Sequence, residues 1–184
     1  GAQVDAQGLH SMVCKQAPGR TVRHHAVNDA IWWAFGAAGI PATKEPVGLT
    51  RRDGKRPDGL TLIPWRAGKP LTWDVTVVAT LAESYVSSAV REAGAVAELA
   101  ASPKSQKYSE LAGDYLFEPI AIENLGAFNL SAVEMLSELG GRITGCSGEE
   151  REPAFLFQRI SVILQRFNSI LLHDTFALSD DPDQ

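Results

Sequence analysis

Hydrophobic positions near the amino end recur at helical spacing. Within residues 21–36 and just beyond, the repeating apolar positions are Val22, Ala26, Ala30, Trp33 and Ala37. A spacing of three to four residues places side chains on one face of a helix. Gly39 and Pro41 follow, and residues of these types commonly end helices. We therefore predict a first helix there, preceded by an irregular lead-in over residues 1–21.

Three short extended segments are predicted next, near residues 42–49, 57–65 and 71–79. Turn-forming runs at 52–55 and 66–69 separate them. The third segment is the richest in β-branched and aromatic residues, which favour strands. We predict a meander of three strands, with a hairpin between the second and the third.

A helical pattern returns at about residues 85–111. Pro103 is predicted to open a second helical segment at Lys104, because its missing N–H is harmless in a first turn. Residues 115–125 then have the composition of a fourth strand. Such a strand would join the sheet through a helical crossover, parallel to a neighbour.

Two more helices, near residues 130–143 and 153–172, complete the predicted order. An acidic tail at 177–184 is predicted to be disordered. The expected fold class is α/β, a mixed four-stranded sheet flanked by helices in the order α-β-β-β-α-β plus C-terminal helices. The domain is expected to span residues 22–176.

Composition adds constraints on class and location. The chain has 184 residues, 45% of them hydrophobic, which suits one domain. It has two cysteines, Cys14 and Cys146, which favours a reducing compartment. Its apolar runs are too short to span a membrane, and no signal segment opens it. We expect a soluble intracellular protein without a membrane partner.

Charge is unevenly distributed. The net charge of -5 argues against indiscriminate coating of nucleic acid. Residues 44–69 nevertheless have a local excess of four positive charges. Their basic residues are Lys44, Arg51, Arg52, Lys55, Arg56, Arg66 and Lys69. This segment is either a phosphate-facing edge or a solvated hairpin.

Two aspartates stand out within the predicted strands. Asp58 follows Pro57 at the start of one strand, and Asp74 lies beside Trp73 within the next. A buried carboxylate needs a partner such as a cation. A hairpin can place both at one end of the sheet, where they could share Mg²⁺ or Mn²⁺. Alternatively, Asp58 caps a turn and Asp74 pairs with a nearby basic residue.

Three short motifs together resemble a known nuclease family. They are Arg-Pro-Asp at 56–58, Trp-Asp-Val-Thr-Val at 73–77 and Lys-Ser-Gln-Lys-Tyr at 104–108. In combination they resemble the C-terminal endonuclease region of non-LTR-type reverse transcriptases, a PD-(D/E)XK-like, restriction-endonuclease-like domain, over about residues 23–172. The resemblance implies a divalent-metal endonuclease that nicks target DNA to prime reverse transcription. It also implies a nuclear site of action, with the element's RNA and a reverse transcriptase domain as further partners.

The resemblance also implies roles for particular residues. Asp58 and Asp74 would hold Mg²⁺ or Mn²⁺. Where the general pattern has lysine, this chain has Thr76, which cannot supply positive charge. The charge must therefore come from elsewhere.

In this branch of the family the lysine lies on the following helix, in a Lys-x-x-Lys-Tyr pattern. Lys104 and Lys107 fit that pattern and would share a helix face. Lys107 is the predicted catalytic lysine, with Lys104 or Tyr108 contacting phosphate. The alternative is an exposed lysine pair on a solvated helix.

Other polar residues are weaker candidates. Glu45 could be a third acidic group at the site, or it could form a surface salt bridge with Lys44 or Arg51. His24, His25 and Asp29 lie on the first helix, where His25 and Asp29 could pair. Such a pair is more often structural than catalytic.

The amino end resembles part of a zinc-binding knuckle. Residues 8–14 look like its second half, with His10 and Cys14 as two ligands. Zinc usually needs four. An incomplete site is therefore expected, and structural Zn²⁺ binding by this chain alone is not.

Two alternatives to an active nuclease stay open. One is a catalytically inactive, nucleic-acid-binding remnant of a retroelement protein, whose binding would be unaffected by Asp58→Ala. The other is a protein-interaction module, which would not bind nucleic acid even at low salt.

Overall fold

The computed structural model describes residues 12–13, 17, 19–51 and 53–177, with side chains to residue 173. Helices and strands follow in this order: α1 (Gly19–Ala37), β1 (Ala42–Lys44), β2 (Gly59–Thr61), β3 (Leu71–Val78), α2 (Glu83–Ala89), α3 (Ala95–Lys107), β4 (Leu116–Glu123), α4 (Leu130–Ser147) and α5 (Glu152–Ala177). Short 3₁₀ turns occupy Val47–Leu49 and Ser109–Gly113. Within the described part of the chain, no helix has both the length and the apolarity needed to cross a membrane.

The four strands form one mixed sheet in the order β1-β2-β3-β4. β1 pairs antiparallel with β2, and β2 pairs antiparallel with β3. β4 returns parallel to β3, with Leu71 opposite Leu116 and Val78 opposite Glu123. The predicted α/β class, hairpin and parallel crossover strand are confirmed.

Helices cover both faces of the sheet. Ile120 and Ile122 of β4 belong to the main core with α1, α4 and α5. Ala121 points the other way and packs against Ala97 and Ala101 of α3. Because β3 lies between helical layers it is buried along nearly its whole length, which fits a strand with apolar residues on both of its faces.

Two strands are shorter than predicted. Pairing of β1 stops at Lys44, since Glu45 adopts a positive φ of 49° and Pro46 follows. The rest of that predicted strand is a 3₁₀ turn. β2 keeps only three residues of the segment predicted over 57–65. The β1 and β2 edge is therefore short, while β3 and β4 extend past it.

The predicted helix start at Lys104 is wrong, because α3 continues through Pro103. Pro103 is exposed, so the carbonyl that loses its backbone donor can be hydrated. The break comes instead before α3, at Gly94 with φ 91°. A Cβ there would lie 2.9 Å from the Phe128 carbonyl oxygen.

The ends of the domain also differ from the prediction. α1 begins at Gly19, two residues before the predicted start. α5 continues to Ala177, five residues past the predicted helix and into the first position of the predicted tail. Residues 178–184, His10 and Cys14 lie outside the described residues, so the tail and the partial zinc knuckle stay predictions.

Candidate active site

Asp58 and Asp74 lie near each other where β2 begins beside β3. Gly59 of β2 pairs with Trp73 of β3, and Asp58 is the residue just before this pairing. The Asp58 amide donates to the Trp73 carbonyl at 2.8 Å. Because β3 runs past the end of its pairing with β2, the Val75 amide donates to Asp58 Oδ2 instead, at 2.6 Å. The structure thus brings together the two aspartates that the sequence singled out.

His24 of α1 reaches the same point from the helical layer. Its Nε2 lies 3.0 Å from Asp58 Oδ2 and 3.2 Å from the Val75 carbonyl oxygen. The hydrogen bond with Asp58 raises the pKa of His24 above its usual value, although partial burial acts in the opposite direction. A protonated Nε2 can donate to these oxygens, so His24 ties α1 to this end of the sheet.

Asn28, one helical turn after His24, fixes α1 against the hairpin. Its amide donates to the Asp58 carbonyl at 3.3 Å and its oxygen accepts from Trp73 Nε1 at 2.8 Å. The sequence analysis had linked His25 with Asp29, but Asp29 instead pairs with Lys44 at 2.6 Å. The four-residue spacing of His24 and Asn28 was the signal that could have identified this pair.

Lys104 of α3 contacts the second carboxylate. Its Nζ lies 2.5 Å from Asp74 Oδ1. The side chain of Asp74 is 6% exposed and that of Lys104 is 29% exposed. Since Asp74 is almost fully buried, this ammonium is the counter-charge that makes its ionised form tolerable. This arrangement matches one of the alternatives that the sequence left open, in which Asp74 pairs with a basic residue.

Lys107 and Tyr108 bond to each other at the end of α3, beside Asp74. Lys107 Nζ donates to the Tyr108 hydroxyl at 2.8 Å, and that hydroxyl donates to the Arg56 carbonyl at 2.9 Å. Partial burial lowers the pKa of Lys107, and burial raises that of Tyr108. Tyr108 is fully buried. Lys104 rather than Lys107 is therefore the lysine in contact with an aspartate of the hairpin.

Glu45 and Arg56 form a surface ion pair beside the hairpin. The Glu45 amide also donates to the Asp58 carbonyl at 3.0 Å, which places its backbone next to the site. Its side chain is half exposed and turned to Arg56. This geometry matches the salt-bridge alternative for Glu45. The partner is Arg56, however, rather than Lys44 or Arg51.

Most described basic residues of the 44–69 segment bond within the protein. Besides the pairs of Lys44 with Asp29 and Arg56 with Glu45, the remaining contacts are Arg51 with the Lys107 carbonyl and Asp53, Arg66 with Glu138, and Lys69 with the Ala112 carbonyl. Lys55 is exposed, and Arg52 lies outside the described residues. The acidic partners offset much of the local positive excess, and DNA binding by this segment stays a prediction.

The oxygens at the hairpin are of a kind that Mg²⁺ or Mn²⁺ accepts. They are the two carboxylates and the Val75 carbonyl, and hard cations take few such ligands with water and phosphate completing the shell. In the described part of the chain, no three His, Cys, Asp or Glu side chains form a metal-holding cluster. The oxygens are instead satisfied by His24 and Lys104. The donor chemistry fits a divalent cation that would take the place of these side chains.

No protein-family model matches the chain, and no curated protein is significantly similar to it. The fold and the site therefore define the class: an α/β protein with a mixed four-stranded sheet, in which Asp58 and Asp74 at the β2–β3 hairpin contact His24 and Lys104 from the covering helices.

Proposed function

We propose that this chain is a divalent-metal-dependent DNA endonuclease with a restriction-endonuclease-like fold, related to the nuclease region of non-LTR-type reverse transcriptases. The observation that carries the proposal is the bonding of Asp58 to the β3 backbone on both sides of Asp74, with Lys104 against Asp74. The order α-β-β-β-α-α-β, with its parallel fourth strand, supports it. Target DNA is the proposed substrate, and the element's RNA and a reverse transcriptase domain are proposed partners.

In this proposal Asp58, Asp74 and the Val75 carbonyl hold Mg²⁺ or Mn²⁺. Such a cation, when bound, activates water and neutralises charge that builds on a phosphodiester. Asp58 is held in place by the Val75 amide and, in the cation-free protein, by His24. Asp74 lies within β3, and Asp58 immediately precedes β2 with its amide bonded to the Trp73 carbonyl, which limits changes in their separation.

Lys104 is the lysine that we assign to the phosphate. Its ammonium already lies at Asp74, and once that carboxylate has another cation it can turn to a phosphate oxygen. It would thereby supply the positive charge that Thr76 cannot. Lys107 is bonded to Tyr108, so we assign both a positioning role for the end of α3.

A second candidate is a nucleic-acid-binding protein without nuclease activity. One observation favours it: His24 and Lys104 already bond the two aspartates, so both described carboxylates have side-chain partners without a metal. In that case Asp58 and Asp74 would be structural, and their replacement would change stability but not a chemical step.

Nicking of supercoiled plasmid separates the two candidates. The wild-type chain with Mg²⁺ or Mn²⁺ should nick, while Asp58→Asn, Asp74→Asn and an EDTA control should not. Asp114→Asn is a matched control because Asp114 is exposed in the turn before β4. Lys104→Ala should reduce the rate more than Lys107→Ala does. Wild-type protein that binds DNA but does not nick in either metal would favour the second candidate.

A further inference from the structure

One face of α5 is turned to solvent. The buried residues of this helix recur every three or four positions and pack it against α1 and α4; they are Leu156, Ile160, Leu164, Asn168 and Leu171. The opposite side carries Arg159, Val162, Arg166 and His173, which are all exposed. A spacing of seven residues is close to two helical turns, so Arg159, Arg166 and His173 form one row along the helix.

This outer face is basic in an otherwise acidic protein. From Pro153 to His173 the helix has no Asp or Glu, and its charged residues are Arg159 and Arg166. The whole chain has a net charge of -5, so the face is a local exception. A surface that carries only positive charge attracts an anionic partner.

Neither arginine has a partner among the described residues. Arg151, just before α5, pairs with Glu149 at 2.8 Å, whereas Arg159 and Arg166 form no hydrogen bond or ion pair with a described group. The basic residues of the 44–69 segment, by contrast, mostly bond within the protein. An exposed guanidinium without a partner keeps all five of its N–H donors free for a ligand. The outer face of α5 is therefore available for contacts that most of the 44–69 cations already make internally.

The spacing of the two arginines fits a nucleic-acid backbone. At 1.5 Å per residue, seven residues separate them by about 10.5 Å along the helix axis. Phosphates recur along one strand at about 3.4 Å of axial rise, so three steps cover about 10.2 Å for a helix that lies along the duplex axis. A guanidinium can also bond a phosphate with two parallel N–H groups. Gln158 and Ser169 are exposed on the same side and add donors of the kind that contact phosphates.

We propose that the outer face of α5, defined by Arg159, Arg166 and His173, binds the phosphate backbone of a nucleic-acid strand. That the strand is target DNA rests on the proposed function. Arg23 precedes His24 on α1 and donates to Asn168 of α5 at 2.6 Å, so α5 is fixed to the helix that reaches Asp58. The face thus provides an anchoring contact outside the carboxylate site.

Binding of a labelled DNA duplex in EDTA tests the proposal without cleavage. Fluorescence anisotropy over a range of salt concentrations gives the slope of log affinity against log salt. Arg159→Gln and Arg166→Gln should each reduce the magnitude of that slope by about 0.9, and the double variant by about 1.8, because each change removes one phosphate contact. Arg159→Lys combined with Arg166→Lys should keep the wild-type slope, because counterion release depends on charge.

Arg91→Gln is the matched control for loss of one positive charge. Arg91 is exposed in the turn after α2, and its side chain has no partner among the described residues. This variant should leave the slope unchanged. Since Arg159 and Arg166 are exposed as well, their variants should melt as wild type does, which circular dichroism checks.

RNA of the same sequence distinguishes the two sources of phosphate. A slope that falls in the arginine variants on DNA supports the proposal with target DNA as the ligand, whereas a fall on RNA alone would overturn the assignment to DNA. A wild-type slope in the double variant, or an equal loss in Arg91→Gln, would overturn the inference itself. So would a wild-type chain that binds no nucleic acid at low salt.

Failure of this inference and failure of the proposed function give different results. A wild-type chain that does not nick, but whose binding depends on Arg159 and Arg166, would refute the nuclease and leave the α5 surface standing. A chain that nicks with metal, and whose binding slope is unchanged in the double variant, would refute the α5 surface alone.

Discussion

Removing Lys104 from its ion pair with Asp74 should cost several kcal/mol of stability, because a buried carboxylate is left without its partner. Lys104→Met keeps an unbranched side chain but removes the charge, leaving a carboxylate that is 6% exposed without its cation. Breaking a buried pair costs about 3–5 kcal/mol. Lys104 is itself 29% exposed, so water can replace part of the interaction. We expect a loss of about 3 kcal/mol in the free energy of unfolding, at the lower end of that range.

Urea denaturation in EDTA, followed by circular dichroism, measures this loss. In thermal unfolding, a loss of this size should lower Tm by roughly 6–12 °C for a domain of this length. The double variant with Asp74→Asn should recover most of the loss, because neither charge then remains. Lys55→Met is the control, since Lys55 is exposed and should change stability by less than about 0.5 kcal/mol.

Divalent cations give the same prediction a functional readout. Mg²⁺ or Mn²⁺ should stabilise Lys104→Met more than wild type, because the ion need not displace an ammonium from Asp74. A Lys104→Met protein as stable as wild type in EDTA would refute the reasoning. The reasoning would also be refuted if the double variant lost as much free energy of unfolding as the two single variants lose together.

Two further predictions concern the sheet. Burial raises the pKa of Glu118 to about 6 from 4.5, so the folded state binds this proton more tightly and stability falls as pH rises from about 4.5 through 6. Glu118→Gln should therefore stabilise the protein at pH 8 by about 1 kcal/mol, a value reduced because the side chain is partly exposed, and should have little effect at pH 4.5. Urea titrations at both pH values measure this, and an equal gain in stability at the two would contradict the prediction. At Gly59, a Cβ would lie 2.0 Å from the Trp73 ring. Gly59→Ala should therefore destabilise the protein by about 1–3 kcal/mol or more through overpacking. Gly54→Ala is the control, because Gly54 lies in an open turn where the substitution should show only the cost of a positive φ. Equal melting temperatures for the two glycine variants would count against the close approach of Trp73.

The sequence alone determined the order and type of most elements. Helical periodicity predicted α1, α4 and α5, and the β-branched run at Leu71–Val78 predicted the central strand. Turn-forming residues between β2 and β3 predicted the hairpin, and that hairpin sufficed to place Asp58 near Asp74. These features depend on local spacing and on chain direction, both of which a sequence displays directly.

Tertiary structure decided which charges meet. The contacts of His24 with Asp58 and of Lys104 with Asp74 join residues 34 and 30 positions apart. They depend on how α1 and α3 pack over the sheet, and local patterns do not encode that packing. Lys104 and Lys107 share one helix face, yet only the rotation of α3 against β3 and β4 brings Lys104 to Asp74. The burial of Arg23 against Asn168 is likewise a product of packing, because a carboxylate or an amide at that partner position would look equally plausible in sequence.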